Sequence, residues 1–332
     1  MSETYPWAWY TDAGQLRAEQ ERIFRPAWHY VGHVGRLPEP SSYFASVSGG
    51  IPVVVTRDRG GEMRAFVNVC RHRGSEVASG EGRRESLQCP YHAWTYNLDG
   101  TLRAAPRADH EPGFDAGDLS LVPLRLETWG PFLFVNAATA APPLAEALGT
   151  LALTVDPATL VFRERIEYSL DANWKVAVEN YLECYHCPVA HPAFSRLVDV
   201  DPDSYVLAGD GPVWSQHGRA RQGEGGCEFH LVWPALKLNV YPGFANLSIG
   251  PVWPESPERT VGFLDYFFGA DVDDASAREL IAFDDQVGRE DTALVESVQR
   301  GVRTGLVDRG RLLPESERLI AGFQRQVAEA LT

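Results

Sequence analysis

Basic side chains are scarce: 30 Lys and Arg stand against 45 Asp and Glu in 332 residues, a formal net charge of −15. Duplex nucleic acid and anionic membrane surfaces need a concentrated basic face, so neither is expected as a partner. No apolar run approaches the roughly 20 residues that cross a bilayer. The N-terminal MSETYPWAWYTDAGQ has no basic segment leading into an apolar one, so it does not read as an export signal. Cysteine is sparse and odd in number: Cys70, Cys89, Cys184, Cys187 and Cys227. An odd set without an export signal argues against a disulfide framework and for a reducing, cytoplasmic setting. No G-x-G-x-x-G run and no internal repeat occurs, so a dinucleotide fingerprint is lacking.

What is there suits a globular protein with two cores. Hydrophobic residues make up 44% and charged residues 23%, and the length allows two domains. Residues 11–25 read as a helix with Leu16, Ile23 and Phe24 on its buried stripe. Between Tyr43 and Asn136 come short β-rich pieces, YFASV, IPVVVTR, MRAFVNVC, AWTYNL and PFLFVN. Turn signals at Asp58–Gly61 and Asp99-Gly100 separate some of them. Residues 137–150, alanine-rich with a Pro-Pro pair, read as a linker or short helix. A strand VFRERIEYSL follows, then a helix from Trp174, strand-like runs over 229–268, and helices over 276–301 and from about residue 315. The expected fold class is α+β: a small all-β domain over 31–136, and a catalytic domain over 137–332 with an antiparallel sheet and covering helices. Residues 1–30 are expected to pack on the latter.

Two constellations carry chemistry. The first is Cys70-Arg-His72 and, sixteen residues after His72, Cys89-Pro-Tyr-His92. Structural zinc sites usually pair like ligands within each half. One thiolate and one imidazole from each loop is instead the pattern of a [2Fe–2S] cluster with two thiolates on one iron and two imidazoles on the other. A zinc site or scattered core residues is the alternative.

The second constellation is Glu183-x2-His186-x4-His191, within NWKVAVENYLECYHCPVAHP. On one unbroken helix, residues five apart point about 140° from each other. Pro188 disfavours helix at Cys187, so the helix is expected to end or distort near His186 and His191 to return from the next turn. A third donor comes from the helix after Ser276, where Ser276-x-x-Glu279 reads as a capping box and Gly301 as a C-cap. Leu280, Val287, Leu294 and Val298 form an apolar stripe, and Asp291 points within roughly 25° of its centre, against about 75° for Glu290. A carboxylate aimed into an apolar interface is costly unless paired or bound to metal. Asp291 is therefore preferred to Glu290. Two His and one carboxylate on one face of a metal would leave its other positions open.

Together these motifs resemble the catalytic alpha subunit of the Rieske non-haem iron oxygenases, over nearly the whole chain. Gly74 and Trp94 fit the surroundings of the cluster motif, and EDTALVESVQRG fits the run that carries the family's aspartate. The resemblance implies a [2Fe–2S] cluster on Cys70, His72, Cys89 and His92, and an Fe(II) on His186, His191 and Asp291. It implies O2 as co-substrate, a separate NAD(P)H-dependent flavin/iron–sulfur reductase, and a homotrimer. Glu183, usually Asp in the family, would bridge His186 to the His92 of an adjacent subunit. It could otherwise only orient His186. The ENYLECYHCPVAHP run, with Glu at 183, resembles the branch acting on quaternary ammonium compounds, giving mono-oxygenation or oxidative demethylation of a small molecule. An aromatic cage for such a cation could come from Tyr205, Trp214, Tyr241, Phe244 and Trp253. Other readings are an aromatic-ring or aromatic-acid hydroxylating dioxygenase, a Rieske electron carrier and a zinc-stabilised binding module.

Overall fold

The computed structural model describes residues 2–209 and 211–332, with only the backbone at Ser2 and Asp109. It divides into two compact units, residues 25–144 and residues 2–24 with 145–332.

The first unit is built on a seven-stranded antiparallel sheet. Its order is His29–His33, Phe132–Asn136, Pro123–Trp129, Met63–Val67, Ile51–Arg57, Ser42–Ser48, Glu81–Arg83. A second sheet holds Ser86–Gln88, Thr95–Asn97 and Leu102–Ala104. The run Val53-Val54-Val55 shows why an interior strand carries consecutive apolar residues. Strand side chains alternate, and both faces are covered. Val53 and Val55 join a core with Val31, Phe44, Leu133 and Val135. Val54 joins the opposite core with Tyr43, Phe66, Leu87, Tyr96, Cys70 and Cys89. The Asp99-Gly100 turn needs its glycine: φ is +86°, and a Cβ would lie 2.4 Å from the Phe66 ring.

The second unit is an eight-stranded antiparallel sheet. Its main order is Leu160–Leu170, Arg259–Gly269, Asn246–Ser256, Leu236–Val240, Gly226–Val232, Val213–Ala220, Val198–Asp199. Helices Trp174–Tyr181, Asp274–Val302 and Arg318–Leu331 belong to the same unit. The N-terminal segment also belongs to it, as helix Ala13–Glu19 running into a π-helical turn over Gln20–Phe24. Leu16, Ile23 and Phe24 are buried. Glu19 accepts hydrogen bonds from Lys175 Nζ (2.6 Å) and Trp174 Nε1 (2.7 Å), deep beneath the Trp174–Tyr181 helix. Tyr10 and Gln324 bond Glu179 one turn further along. Burial pushes the Glu179 carboxyl up to about 7 against the pull of these bonds.

The long helix departs from expectation at three points. Asp273, not Ser276, caps it, accepting from the backbone N–H groups of Ala275 and Ser276. It continues past Gly301 to Val302. Its buried line is Ala277, Ile281, Asp284, Val295, Gln299 and Val302, while Leu294 and Val298 are 39% and 50% exposed. A stripe drawn through apolar residues alone skips the buried polar Asp284 and Gln299, and so drifts one position off the true face. Among the described residues, no helix is long and apolar enough to cross a membrane.

Candidate active site and metal centre

Two loops of the first unit end in the same turn. The Cys70 and Cys89 backbone N–H groups donate to the carbonyls of Ser75 and Trp94, each at 2.8 Å. The N–H groups of Gly74 and Ala93 return to the carbonyls of Cys70 and Cys89. Both turns close through a left-handed residue, Gly74 at φ +79° and Ala93 at φ +58°. The loops bring the His72 and His92 rings to 4.6 Å, and Trp94 stacks on His72 at 4.8 Å. Cys70 and Cys89 are free thiols buried in one core, whereas His72 and His92 are exposed. Tyr96 Oη lies 3.4 Å from Cys70 Sγ and accepts the Arg71 N–H. Buried sulfur and outward imidazoles suit a cluster whose imidazole end faces an electron partner.

In the second unit, the helix from Trp174 stops at Tyr181 and the chain runs irregularly to His186. Cys187–Ala190 then makes a short helix, with Pro188 in its first turn, where a missing N–H is tolerated. Pro188 therefore starts a helix rather than preventing one. His191 sits between this helix and Pro192–Leu197. The backbone turn brings the two imidazoles together. Nε2 of His186 and of His191 are 3.1 Å apart, and Asp291 Oδ1 lies 3.0 Å from His191 Nε2 and 3.4 Å from His186 Nε2. Three donors at about 2.1 Å from a first-row metal, at right angles, stand about 3.0 Å apart. The geometry therefore fits a metal held on one face, and among the described residues these three form the one such group.

The outer ring atoms are tied down. His186 Nδ1 bonds Glu183 Oε1, and His191 Nδ1 bonds Glu290 Oε2 at 2.8 Å. With Nδ1–H donated to a carboxylate, each Nε2 lone pair is turned inward. Glu183 does not reach His186 along a helix. Its Oε2 accepts the backbone N–H of Tyr185 and of His186, folding the side chain back over the loop. Burial opposes the charge on Asp291, but hydrogen bonds from His186 and His191 outweigh it and hold the carboxyl well below its usual range.

The three donors open onto a cavity of about 210 Å³. Alternate residues of single strands wall it: Ile166, Tyr168 and Leu170; Lys237, Asn239 and Tyr241; Leu264 and Tyr266. Asp284, Gly288 and Asp291 of the long helix face it, with Tyr181 and Tyr205. Gly288 leaves a gap, since a Cβ there would meet nothing within 4 Å. Asp284 is buried and accepts from Tyr241 Oη (2.6 Å) and Tyr266 Oη (2.7 Å). Burial raises its pKa against those two bonds. Lys237 Nζ stands 5.0 Å from the Tyr168 ring centre.

Sequence patterns missed several of these residues. Glu290, weighed only as a rival ligand, instead holds His191. Asp284 lies seven positions before Asp291, two turns on the same helix face, a spacing that could have revealed it. Of the five expected cage residues, Tyr205 and Tyr241 line the cavity. Trp214 packs on Phe323, Phe244 on Phe268, and Trp253 on Phe263. Cys184 and Cys187 form a disulfide, contrary to the expectation of reduced thiols; it is a local bridge beside His186 rather than part of a framework.

The Rieske [2Fe–2S] domain model matches residues 27–124, and the ring hydroxylating alpha subunit catalytic-domain model matches residues 157–332. The chain belongs to the Rieske oxygenase alpha subunits. It is 36% identical to the carnitine monooxygenase oxygenase subunit of Acinetobacter pittii, over 98% of this chain and 94% of that one. It is 33% identical to the chloroplastic choline monooxygenase of Spinacia oleracea, over 99% of this chain and 79% of that one. The crystal structure of the quaternary ammonium Rieske monooxygenase CntA with its substrate γ-butyrobetaine superposes with a TM-score of 0.89 at 34% identity, covering 100% of this chain and 96% of that one. The Rieske oxygenase alpha subunit is thus an oxidoreductase with a [2Fe–2S] cluster, a mononuclear iron and O2 as co-substrate, and it takes electrons from a separate reductase.

Proposed function

We propose that this Rieske oxygenase mono-oxygenates or oxidatively demethylates a quaternary ammonium compound. The observation that carries this reading is the cavity wall: Tyr168, Tyr181, Tyr205, Tyr241 and Tyr266 surround the space before the three donors, with the buried carboxylate of Asp284 among them. Aromatic faces and one desolvated acid attract a cation that carries no N–H to donate. The relatives named for carnitine and choline support the same class.

In this reading Cys70, His72, Cys89 and His92 hold the cluster, and His186, His191 and Asp291 hold the iron. Glu183 and Glu290 fix the two imidazoles, and Asp291 supplies the one negative ligand. When bound, the iron supplies the redox chemistry that activates O2. The tyrosine wall keeps water from the reacting face, and the side chains at Asp284 hold the cationic end of the substrate. Glu183 also meets the His92 of a neighbouring subunit, in a homotrimer closed head to tail. Its surroundings support this: Tyr185 and Val189 beside it are 63% and 87% exposed, as an interface loop would be in an isolated chain. A reductase fed by NAD(P)H suits a cytoplasmic enzyme.

The test is substrate-dependent O2 uptake with a surrogate reductase, across methylated ammonium compounds and aromatic acids. Uptake driven by the former supports the reading. Uptake driven only by aromatic acids overturns it. Purified protein is expected to be red-brown with about three irons per chain, two in the cluster and one mononuclear. Two irons, with none lost on His186→Ala, would make it an electron carrier instead.

A further inference from the structure

The carnitine and choline relatives differ in the far end of the substrate, a carboxylate in one case and a hydroxyl in the other. Overall identity, 36% and 33%, does not separate them. The cavity contains a feature that does. Lys237 projects into it from the strand Leu236–Val240, on the face that also carries Asn239, with Tyr241 just past the strand's end. Its Nζ lies 5.0 Å and 5.4 Å from the ring centres of Tyr168 and Tyr181. Among the described residues, no carboxylate comes within 4.0 Å of it. Asn239 cannot serve in its place, because its side chain is spent on Tyr181 Oη and Ser248 Oγ. Arg289, the other cation on the wall, is 72% exposed and already paired with Asp285 at 3.1 Å.

Tyr241 lies four positions after Lys237, just past the end of the strand, about 13 Å along an extended chain. Tyr241 and Tyr266 carry the Asp284 carboxylate between their hydroxyls. The cavity thus holds a desolvated acid among aromatic rings and, within electrostatic reach of it, a half-buried ammonium. A plain cation gains at the acid and is repelled by the ammonium. A zwitterion gains at both.

We propose that Lys237 binds an anionic group of the substrate, so that the cavity selects a zwitterionic ammonium carboxylate over a cation alone. This rests on the ammonium reading above and sharpens it.

Calorimetric titration of the purified holoenzyme tests it without the reductase. The ligands are γ-butyrobetaine, its methyl ester, choline, and 5,5-dimethylhexanoate, in which carbon replaces the ammonium nitrogen. Wild type is expected to bind γ-butyrobetaine at least about tenfold more tightly than the ester. A charge-assisted hydrogen bond is at stake, so Lys237→Met should weaken γ-butyrobetaine about 10- to 100-fold while the ester and choline hold or tighten. Lys237→Arg should keep part of the preference, and Arg289→Gln all of it. Equal affinity of wild type for acid and ester, or a preference that survives Lys237→Met, overturns the role of Lys237 and leaves the ammonium reading intact. Tight binding of 5,5-dimethylhexanoate overturns the ammonium reading and leaves Lys237 as the anion site. Failure of every ligand to bind overturns both.

Discussion

Replacing Glu183 by Gln separates two roles that the structure joins in one side chain. Oε1 faces the His186 ring at Nδ1, and Oε2 faces two backbone N–H groups, of Tyr185 and His186. A carboxylate accepts on both sides. An amide has one oxygen, so in either orientation its NH2 meets a donor. One buried donor left unsatisfied costs about 1–3 kcal/mol, enough to loosen His186. If positioning were the whole role, the loss would be about 10- to 100-fold in iron affinity, recoverable with excess ferrous ion. If Glu183 also joins His186 to the neighbouring subunit's cluster, saturating iron does not restore turnover. The assay therefore loads the variant fully, verifies its metal content, and compares substrate-dependent O2 uptake with the rate at which a chemically reduced cluster is reoxidised. At full loading, both are expected to fall at least about a hundredfold, beyond the range that misplaced ligands explain. Turnover near wild type in the iron-saturated variant would refute the bridge and leave only the positioning role.

Three further outcomes are expected. Asp291→Ala should lose the mononuclear iron and keep the cluster's visible spectrum; retention of that iron would point to Glu290 as the carboxylate donor. Iron uptake by stripped protein should depend on pH. Burial disfavours charge on His186, but its bonds to Asp291 and Glu183 prevail and raise it from 6.5 to about 9. That proton's stabilising contribution is present below pH 6.5 and lost as pH rises through about 9. Metal must displace it, so ferrous affinity measured against a chromophoric chelator should rise about tenfold per pH unit across that window, and a flat profile would be contrary. Lys175→Met should destabilise the fold by about 3–5 kcal/mol in denaturant unfolding, because Glu19 would keep a buried, unpaired charge. A loss below about 1 kcal/mol would mean that the buried pair adds little net stability.

The parts of the fold legible in the sequence were those set by local pattern. The Val53–Val55 run, the Asp99-Gly100 turn and the strand from about Leu160 announce themselves by apolar composition or by φ requirements that few residues meet. The two Cys–His loops were legible because ligand type and spacing are both specific. The cavity was harder to read. Lys237, Tyr168 and Tyr266 come from three different strands, and nothing local says that their faces converge. Asp284 and Gln299 are polar and buried, so hydrophobic periodicity passed over them and misdrew the face of the long helix. Glu290 was visible only as a rival to Asp291, since the hydrogen bond to His191 spans 99 residues of sequence.

Gly288 sits mid-helix, where glycine costs roughly 1 kcal/mol relative to alanine. No neighbouring side chain requires it, for it is exposed where it borders the cavity and a Cβ there would meet nothing within 4 Å. Bulk added at this one position would meet no side chain and would narrow the cavity's edge, with the sheet and the His186, His191 and Asp291 side chains left in place. The helix therefore carries a dial for molecular size, one turn after Asp284 and one turn before Asp291, that can be moved without replacing Asp284 or Lys237. A lineage could move between slender and bulky substrates by changing this one codon.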